Sequence, residues 1–201
     1  VSGALAPQLK AALVKADHEV REVVVSRPDA PLQAGEVDFE AFLAGADPAA
    51  RPASTRADEA AFWLYSSGST GRPKAAVHSH ANPYWTTELY GKAILALRES
   101  DVCFSAAKLF FAYGLGNALT FPMGVGATTL LMGERATPDA VFRRWRGEVG
   151  GLKPTVFFGA PTGYAGMLAA ANLPAREAIA LRLASSAGEA LPAEIGERFQ
   201  R

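Results

Sequence analysis

Residues 65–80 read YSSGSTGRPKAAVHSH: two glycines, five serine or threonine hydroxyls, a proline and a lysine, set between two apolar runs. Gly68 and Gly71 permit positive φ and close backbone approach, so successive N–H groups can converge on an anion. Ser66, Ser67, Ser69 and Thr70 add hydroxyl donors of adjustable direction. Pro73 stiffens the exit, and Lys74 brings a positive charge. Together these are parts for gripping phosphate oxygens; the plain alternative is a solvated serine-rich turn between two strands. The stretch is not a Walker A loop. Counting from Gly68, Pro73 stands where the second glycine belongs, and Ala75 rather than a hydroxyl residue follows the lysine.

Two later stretches carry further candidates. In LFFAYGLGN (109–117), a small Ala112 beside a flat Tyr113 and the side-chain-free Gly114 suggests a slot for a planar acid, with Phe110 and Phe111 at its mouth. Core packing at a helix start is the alternative. In SSAGEALP (185–192), Ala187, Gly188, Glu189, Ala190 and Leu191 read as a strand-to-helix turn with Glu189 solvated. Gly159, Ala160, Pro161 and Thr162 are expected to line the same cleft from a neighbouring strand end. His78 and His80 lack a third partner in sight, so packing and capping suit them better than metal binding. Cys103 is expected to be a small apolar filler of a buried strand.

The elements that must hold these residues alternate. Helix is expected over 4–16, strand over 19–26, and a proline-rich loop over 27–58 with a short helix near 37–45. Strands at 60–67 and 74–79 flank the hydroxyl-rich loop. A helix follows over 79–97, with Ser79 or Asn82 as its cap and Pro83 in its first turn. Then come strand 101–106, helix 114–123, strand 127–133, helix 138–149, strand 154–160, helix 161–171, strand 181–188, and a last helix entered through Pro192. Short apolar strands alternating with helices predict an α/β fold, a mainly parallel sheet covered by helices. In such sheets ligands bind past the strand C-termini, where Gly159–Pro161 and Ala187–Glu189 fall.

At this point YSSGSTGRPKAAVHSHAN resembles the phosphate-loop motif of the acyl-adenylate-forming superfamily. LFFAYGLGN resembles its aromatic motif beside the acyl pocket, and SSAGEALP its adenine-contacting loop, in the family's order. FFAYGLGNALTFPMGVGAT with PTVFFGAPTGYAGML is similar to the benzoate–CoA ligase and 4-hydroxybenzoate–CoA ligase branch. The resemblance implies that Ser66, Ser67, Gly68, Ser69, Thr70, Gly71 and Lys74 bind ATP phosphates. It implies that Phe111, Ala112, Tyr113 and Gly114 form the acyl pocket, and that Ala187–Leu191 contact adenine. ATP, Mg²⁺ and coenzyme A are the implied cofactors and co-substrates, and an aryl carboxylate is the implied acid. One departure is Ala75, where the family usually has glycine; its methyl could crowd a triphosphate.

The family's magnesium-binding acid, its ribose-binding aspartate and its C-terminal domain with the catalytic lysine find no match in this sequence. The chain is therefore expected to be part of a large N-terminal adenylation domain, with 1–58 a preceding region and 59–201 the phosphate-loop and pocket region. By itself it is expected to be inactive, and to pair with another copy or aggregate through exposed apolar surface. A fatty-acyl–CoA ligase, an amino-acid adenylation domain and a non-catalytic nucleotide-binding module stay open as alternatives.

Composition narrows the classes further. The 201 residues are 49% hydrophobic, with 20 Lys+Arg against 20 Asp+Glu. That balance gives no basic footprint for nucleic acid. One cysteine cannot form an internal disulfide, so a reducing cytoplasm is the expected location. No apolar run approaches the roughly 20 residues of a membrane span.

Overall fold

The computed structural model describes residues 1–67 and 71–201. It divides into two compact units, Val1–Ser54 and Thr55–Arg201. In the first, a 3-10 turn (Gly3–Leu5) leads into helix α1 (Ala6–Leu13). Strand β1 (Val23–Val25) pairs in parallel with β2 (Glu36–Asp38), and helix α2 (Phe39–Ala44) follows. Asp38 ends the strand and caps the helix, its carboxylate accepting from the amides of Glu40 (2.9 Å) and Ala41 (3.1 Å). The strand expected over 19–26 is only three residues long; ahead of it Glu19, Arg21 and Glu22 are charged, and Val20 is exposed, so that stretch buries no face.

The second unit opens with an antiparallel hairpin, β3 (Ala60–Ser66) and β4 (Lys74–Ser79). Helix α3 (Ala81–Thr86) continues as a π-helical segment, Thr87–Lys92. The expected caps do not form. His80 occupies the cap position without a side-chain bond, and Asn82 turns back so that its Oδ1 accepts from the Ser79 amide at 2.9 Å. The reason lies in the backbone: the His80 amide donates to Glu59 O (3.1 Å) and the Ala81 amide to Ala57 O (3.0 Å), so first-turn donors are already satisfied.

Strand β5 (Val102–Ser105) leads to α4 (Ala112–Leu115), a second π-helical segment (Gly116–Thr120) and α5 (Phe121–Val125). Pro122 has no N–H and its ring would clash with a carbonyl four residues back; widening the preceding turn removes the clash. Strand β6 (Thr128–Leu130), α6 (Pro138–Trp145), β7 (Val156–Gly159), α7 (Pro161–Ala169), β8 (Leu183–Ser186) and α8 (Ala193–Gln200) complete the chain. Helix α6 begins where the Thr137 hydroxyl accepts from the Ala140 amide, with Pro138 in its first turn, and it carries Asp139 early and Arg143 and Arg144 late.

Strands β5 to β8 form one parallel sheet in the order β6-β5-β7-β8. Its residues alternate between two cores. Phe104 and Phe157 pack with Val141, Trp145, Tyr164 and Met167 from α6 and α7 on one face. Cys103, Val156 and Phe158 pack with Leu95, Leu97 and Phe121 on the other. Fully burying a Phe contributes roughly 1.5–3 kcal/mol, and Phe104, Phe157 and Phe158 are each at most 1% exposed, so these strands anchor everything beside them. The predicted α/β class with a mainly parallel, helix-covered sheet is the fold observed.

Candidate functional site

The strand order fixes where a ligand fits. After β5 the chain crosses to β6 on one side, and after β7 to β8 on the other, so a crevice opens between the C-terminal ends of β5 and β7. A cavity of about 340 Å³ lies there. Ala106 and Ala107 line it from β5, Gly159 and Ala160 from β7, Thr162 and Gly163 from α7, and Tyr113 from α4. The small residues leave the space open, and Gly159, Ala160 and Thr162 share it with Tyr113, whereas none of Ala187–Leu191 lines it. Pro161 is buried instead. A larger cavity, about 680 Å³, runs along the outer side of β8 beneath α8 and reaches the following turn at Ser186 and Leu191.

Of the residues expected around the acid, only Tyr113 lines the smaller cavity. Its ring stands edge-on to Phe158 at 6.4 Å between centroids, and its hydroxyl donates to the Ser185 carbonyl at 3.1 Å. Burial raises the phenol's pKa, so it stays neutral. Phe111 is exposed at the start of α4, its ring against that of Phe110 at 4.4 Å, and Ala112 is exposed beside it. Gly114 is buried, and a Cβ there would stand 2.0 Å from the Lys108 carbonyl oxygen. Its missing side chain makes room for that carbonyl.

The hairpin sets the flanks of the hydroxyl-rich loop. Ser66 pairs directly with Lys74, Leu64 with Ala76 and Phe62 with His78. Directly opposed residues share a face, so the Ser66 and Lys74 side chains leave the same face of the hairpin at the loop's mouth. Both are exposed, as is Ser67, and Gly71 takes φ +76° with open space around it. Gly68, Ser69 and Thr70 lie outside the described residues. Ala75 pairs with Tyr65 on the opposite face from Lys74, so its methyl is directed away from the lysine's side. His78 stacks on Phe62 (5.1 Å, 12° between planes), a packing role; His80 is exposed and caps nothing. Among the described residues no group of three His, Cys, Asp or Glu comes together, and no helix is long and apolar enough to cross a membrane.

The turn after β8 begins with the Ala187 amide donating to Gly159 O at 3.4 Å. Gly188 adopts φ +99°, a conformation glycine takes at no steric cost. Glu189 and Ala190 are exposed, while Leu191 lies against Gly196 of α8. Two residues that sequence reasoning passed over meet here: the Tyr164 hydroxyl donates to the same Ser185 carbonyl at 2.7 Å. Tyr164 reads in sequence as an ordinary helix-start aromatic, and only the tertiary fold reveals where its hydroxyl ends.

Residues 2–201 match the AMP-binding enzyme family. The chain belongs to that family. It is 54% identical over 167 residues to the benzoate–CoA ligase of Thauera aromatica, covering 83% of this chain and 31% of that protein. It is 47% identical over 178 residues to the 4-hydroxybenzoate–CoA/benzoate–CoA ligase of Rhodopseudomonas palustris, covering 86% and 31%. Among solved structures, a benzoate CoA ligase from Burkholderia xenovorans LB400 superposes with a TM-score of 0.84 at 54% identity, over 100% of this chain and 37% of that one. The anthranilate CoA ligase AuaEII, in complex with anthranoyl-AMP, gives 0.87 at 33% identity, over 100% and 38%. The chain thus spans about a third of the length of these relatives.

Proposed function

We propose that the protein carrying this chain is an AMP-forming aryl–CoA ligase acting on benzoate or a substituted benzoate. In the first half-reaction a carboxylate oxygen attacks the α-phosphorus of ATP. The bond from that phosphorus to the bridging oxygen breaks, and pyrophosphate leaves with the electron pair. In the second half the coenzyme A thiolate attacks the acyl carbonyl and AMP departs. Both steps depend on positioning and on neutralising phosphate charge.

The 54% identity to benzoate–CoA ligase along 83% of the chain carries this reading, and the chemistry of the residues agrees with it. Lys74 beside Ser66 offers a cation and a hydroxyl to the β- and γ-phosphates, joined by Ser67 and the loop through Gly71. Phe111–Gly114 supply the acid's side of the cleft, with Tyr113 as the wall that reaches the cavity. Ala187–Leu191 supply the adenine's side. Mg²⁺ would be held largely by the ATP phosphates and would neutralise their charge. The 201 residues alone are read as inactive.

The test is acid-dependent pyrophosphate release by the full-length protein across a panel of aryl and alkyl carboxylates. Release with benzoate or a ring-substituted benzoate, followed by thioester formation with CoA, is expected. A preference for alkyl or amino acids would move the protein to another adenylating class; no release with any acid would remove the enzymatic reading.

A further inference from the structure

We infer that Tyr164 is a positioning residue for the nucleotide turn, holding both flanks of residues 187–191 with one side chain. The inference rests on the reading of that turn as the adenine contact. Tyr164 is 3% exposed. Its hydroxyl donates to the Ser185 carbonyl at 2.7 Å, two residues before the turn begins. Its ring meets Phe199 of α8, beyond the turn, edge-on at 4.7 Å and 80°. A further edge contact with Phe157 of β7 (5.8 Å, 78°) fixes the ring to the centre of the sheet.

The turn itself has little else to hold it. A Cβ at Gly188 would meet nothing within 4 Å, and Glu189 and Ala190 are exposed. The Ala187–Gly159 backbone bond is long at 3.4 Å, and α8 starts at Pro192 without a side-chain cap. A segment so sparsely tied takes its geometry from its ends. Both ends run to Tyr164.

The Ser185 carbonyl is also clamped from the other face of the sheet. Tyr113 of α4 donates to it at 3.1 Å, and Tyr113 belongs with the core on the α5 side while Tyr164 belongs with the core on the α6–α7 side. One backbone oxygen therefore accepts two phenols from helices on opposite faces. Tyr113 already has a place at the wall of the smaller cavity, and Tyr164 borders the larger one beneath α8. Its hydroxyl acts through Ser185.

Tyr164→Phe in the full-length ligase keeps the ring contacts and removes the hydroxyl alone. One hydrogen bond of ordinary net strength corresponds to about a fivefold change in an equilibrium constant. The KM for ATP is expected to rise about fivefold, with the KM for benzoate and kcat at saturating ATP within about twofold of wild type. Tyr164→Leu, which also removes the ring from Phe199, should weaken ATP further and lower Tm. Direct titration of AMP into wild type and Tyr164→Phe repeats the comparison without turnover, and a weaker AMP affinity in the variant supports the inference even where no thioester forms. An ATP KM and AMP affinity unchanged within twofold would overturn it, as would a parallel rise in the KM values for ATP and acid. A wild type that binds AMP but activates no aryl acid would sink the substrate reading alone; one that binds no AMP would sink both.

Discussion

Asp101 and Arg182 form a two-point ion pair at the N-terminal edge of the parallel sheet, joining the residue before β5 to the residue before β8. Arg182 Nε donates to Asp101 Oδ1 at 2.8 Å and its Nη2 to Oδ2. The Thr155 hydroxyl before β7 donates to Oδ1 at 2.8 Å, and the Arg98 amide to Oδ2 at 3.0 Å. The carboxylate is thereby saturated with donors while only 2% exposed, and it laces β5, β7 and β8 together opposite the ligand-binding end.

Burial pushes the Asp101 carboxyl upward, but Arg182, Thr155 and the Arg98 amide outweigh it and bring the pKa from 3.8 down to about 2. A depressed carboxylate stabilises the fold fully above its unfolded value and loses that contribution as pH falls through the folded one. About 2 kcal/mol, at 1.36 kcal/mol per unit, is expected to disappear as pH falls from about 4 through about 2. Asp101→Asn, which strands Arg182 without a counter-charge, should cost about 3 kcal/mol at pH 7. Urea midpoints at pH 7 and pH 2 check both: the gap between variant and wild type should close at the lower pH.

Gly114→Ala tests the close approach of α4 to the Lys108 carbonyl. A methyl 2.0 Å from that oxygen forces backbone to move, and overpacking of this kind costs about 3 kcal/mol. The expected result is a fall in the urea midpoint; a variant as stable as wild type would show that the helix start yields freely.

Cys103 is fully buried in β5, and burial, reinforced by the Asp101 charge, pushes its thiol up to about 12. It should resist a thiol-specific chromogenic reagent in the native protein at pH 8 and react promptly once urea unfolds the chain. Fast labelling without denaturant would contradict the packing of β5.

Lys74→Ala in the full-length ligase removes the cation at the loop's mouth. A roughly hundredfold loss of acid-dependent pyrophosphate release is expected, with Lys74→Arg recovering part of it. A loss confined to the thioester-forming half-reaction would instead place Lys74 away from the phosphates.

Much of this was readable from residues. VCFS, VFFG and LASS are short apolar runs between turn-formers, and a buried parallel strand demands such runs; each formed within two residues of its expected bounds. The loop flanks at Ser66 and Lys74 were readable for the same reason, since the hairpin strands declare themselves on both sides. What sequence concealed depends on tertiary partners. The amides of His80 and Ala81 find carbonyls around residues 57–59, so no side-chain cap is needed. The π-helical segment Gly116–Thr120 arises just ahead of Pro122, and nothing in the composition of that stretch announces it. Gly114 faces a carbonyl six residues back in the chain, and Tyr164 reaches a strand twenty-one residues on; neither partner has a local signature.

The strand order has a kinetic consequence. β5 sits inside the sheet, yet its neighbours are made after it: Cys103 registers with Thr129 of β6 and with Val156 of β7. During synthesis Phe104 therefore waits, with both edges of its strand bare until β6 is made and with one edge bare until the ribosome has delivered β7. Contacts this distant along the chain slow folding, and that waiting interval is where helpers that shield nascent apolar segments would matter most.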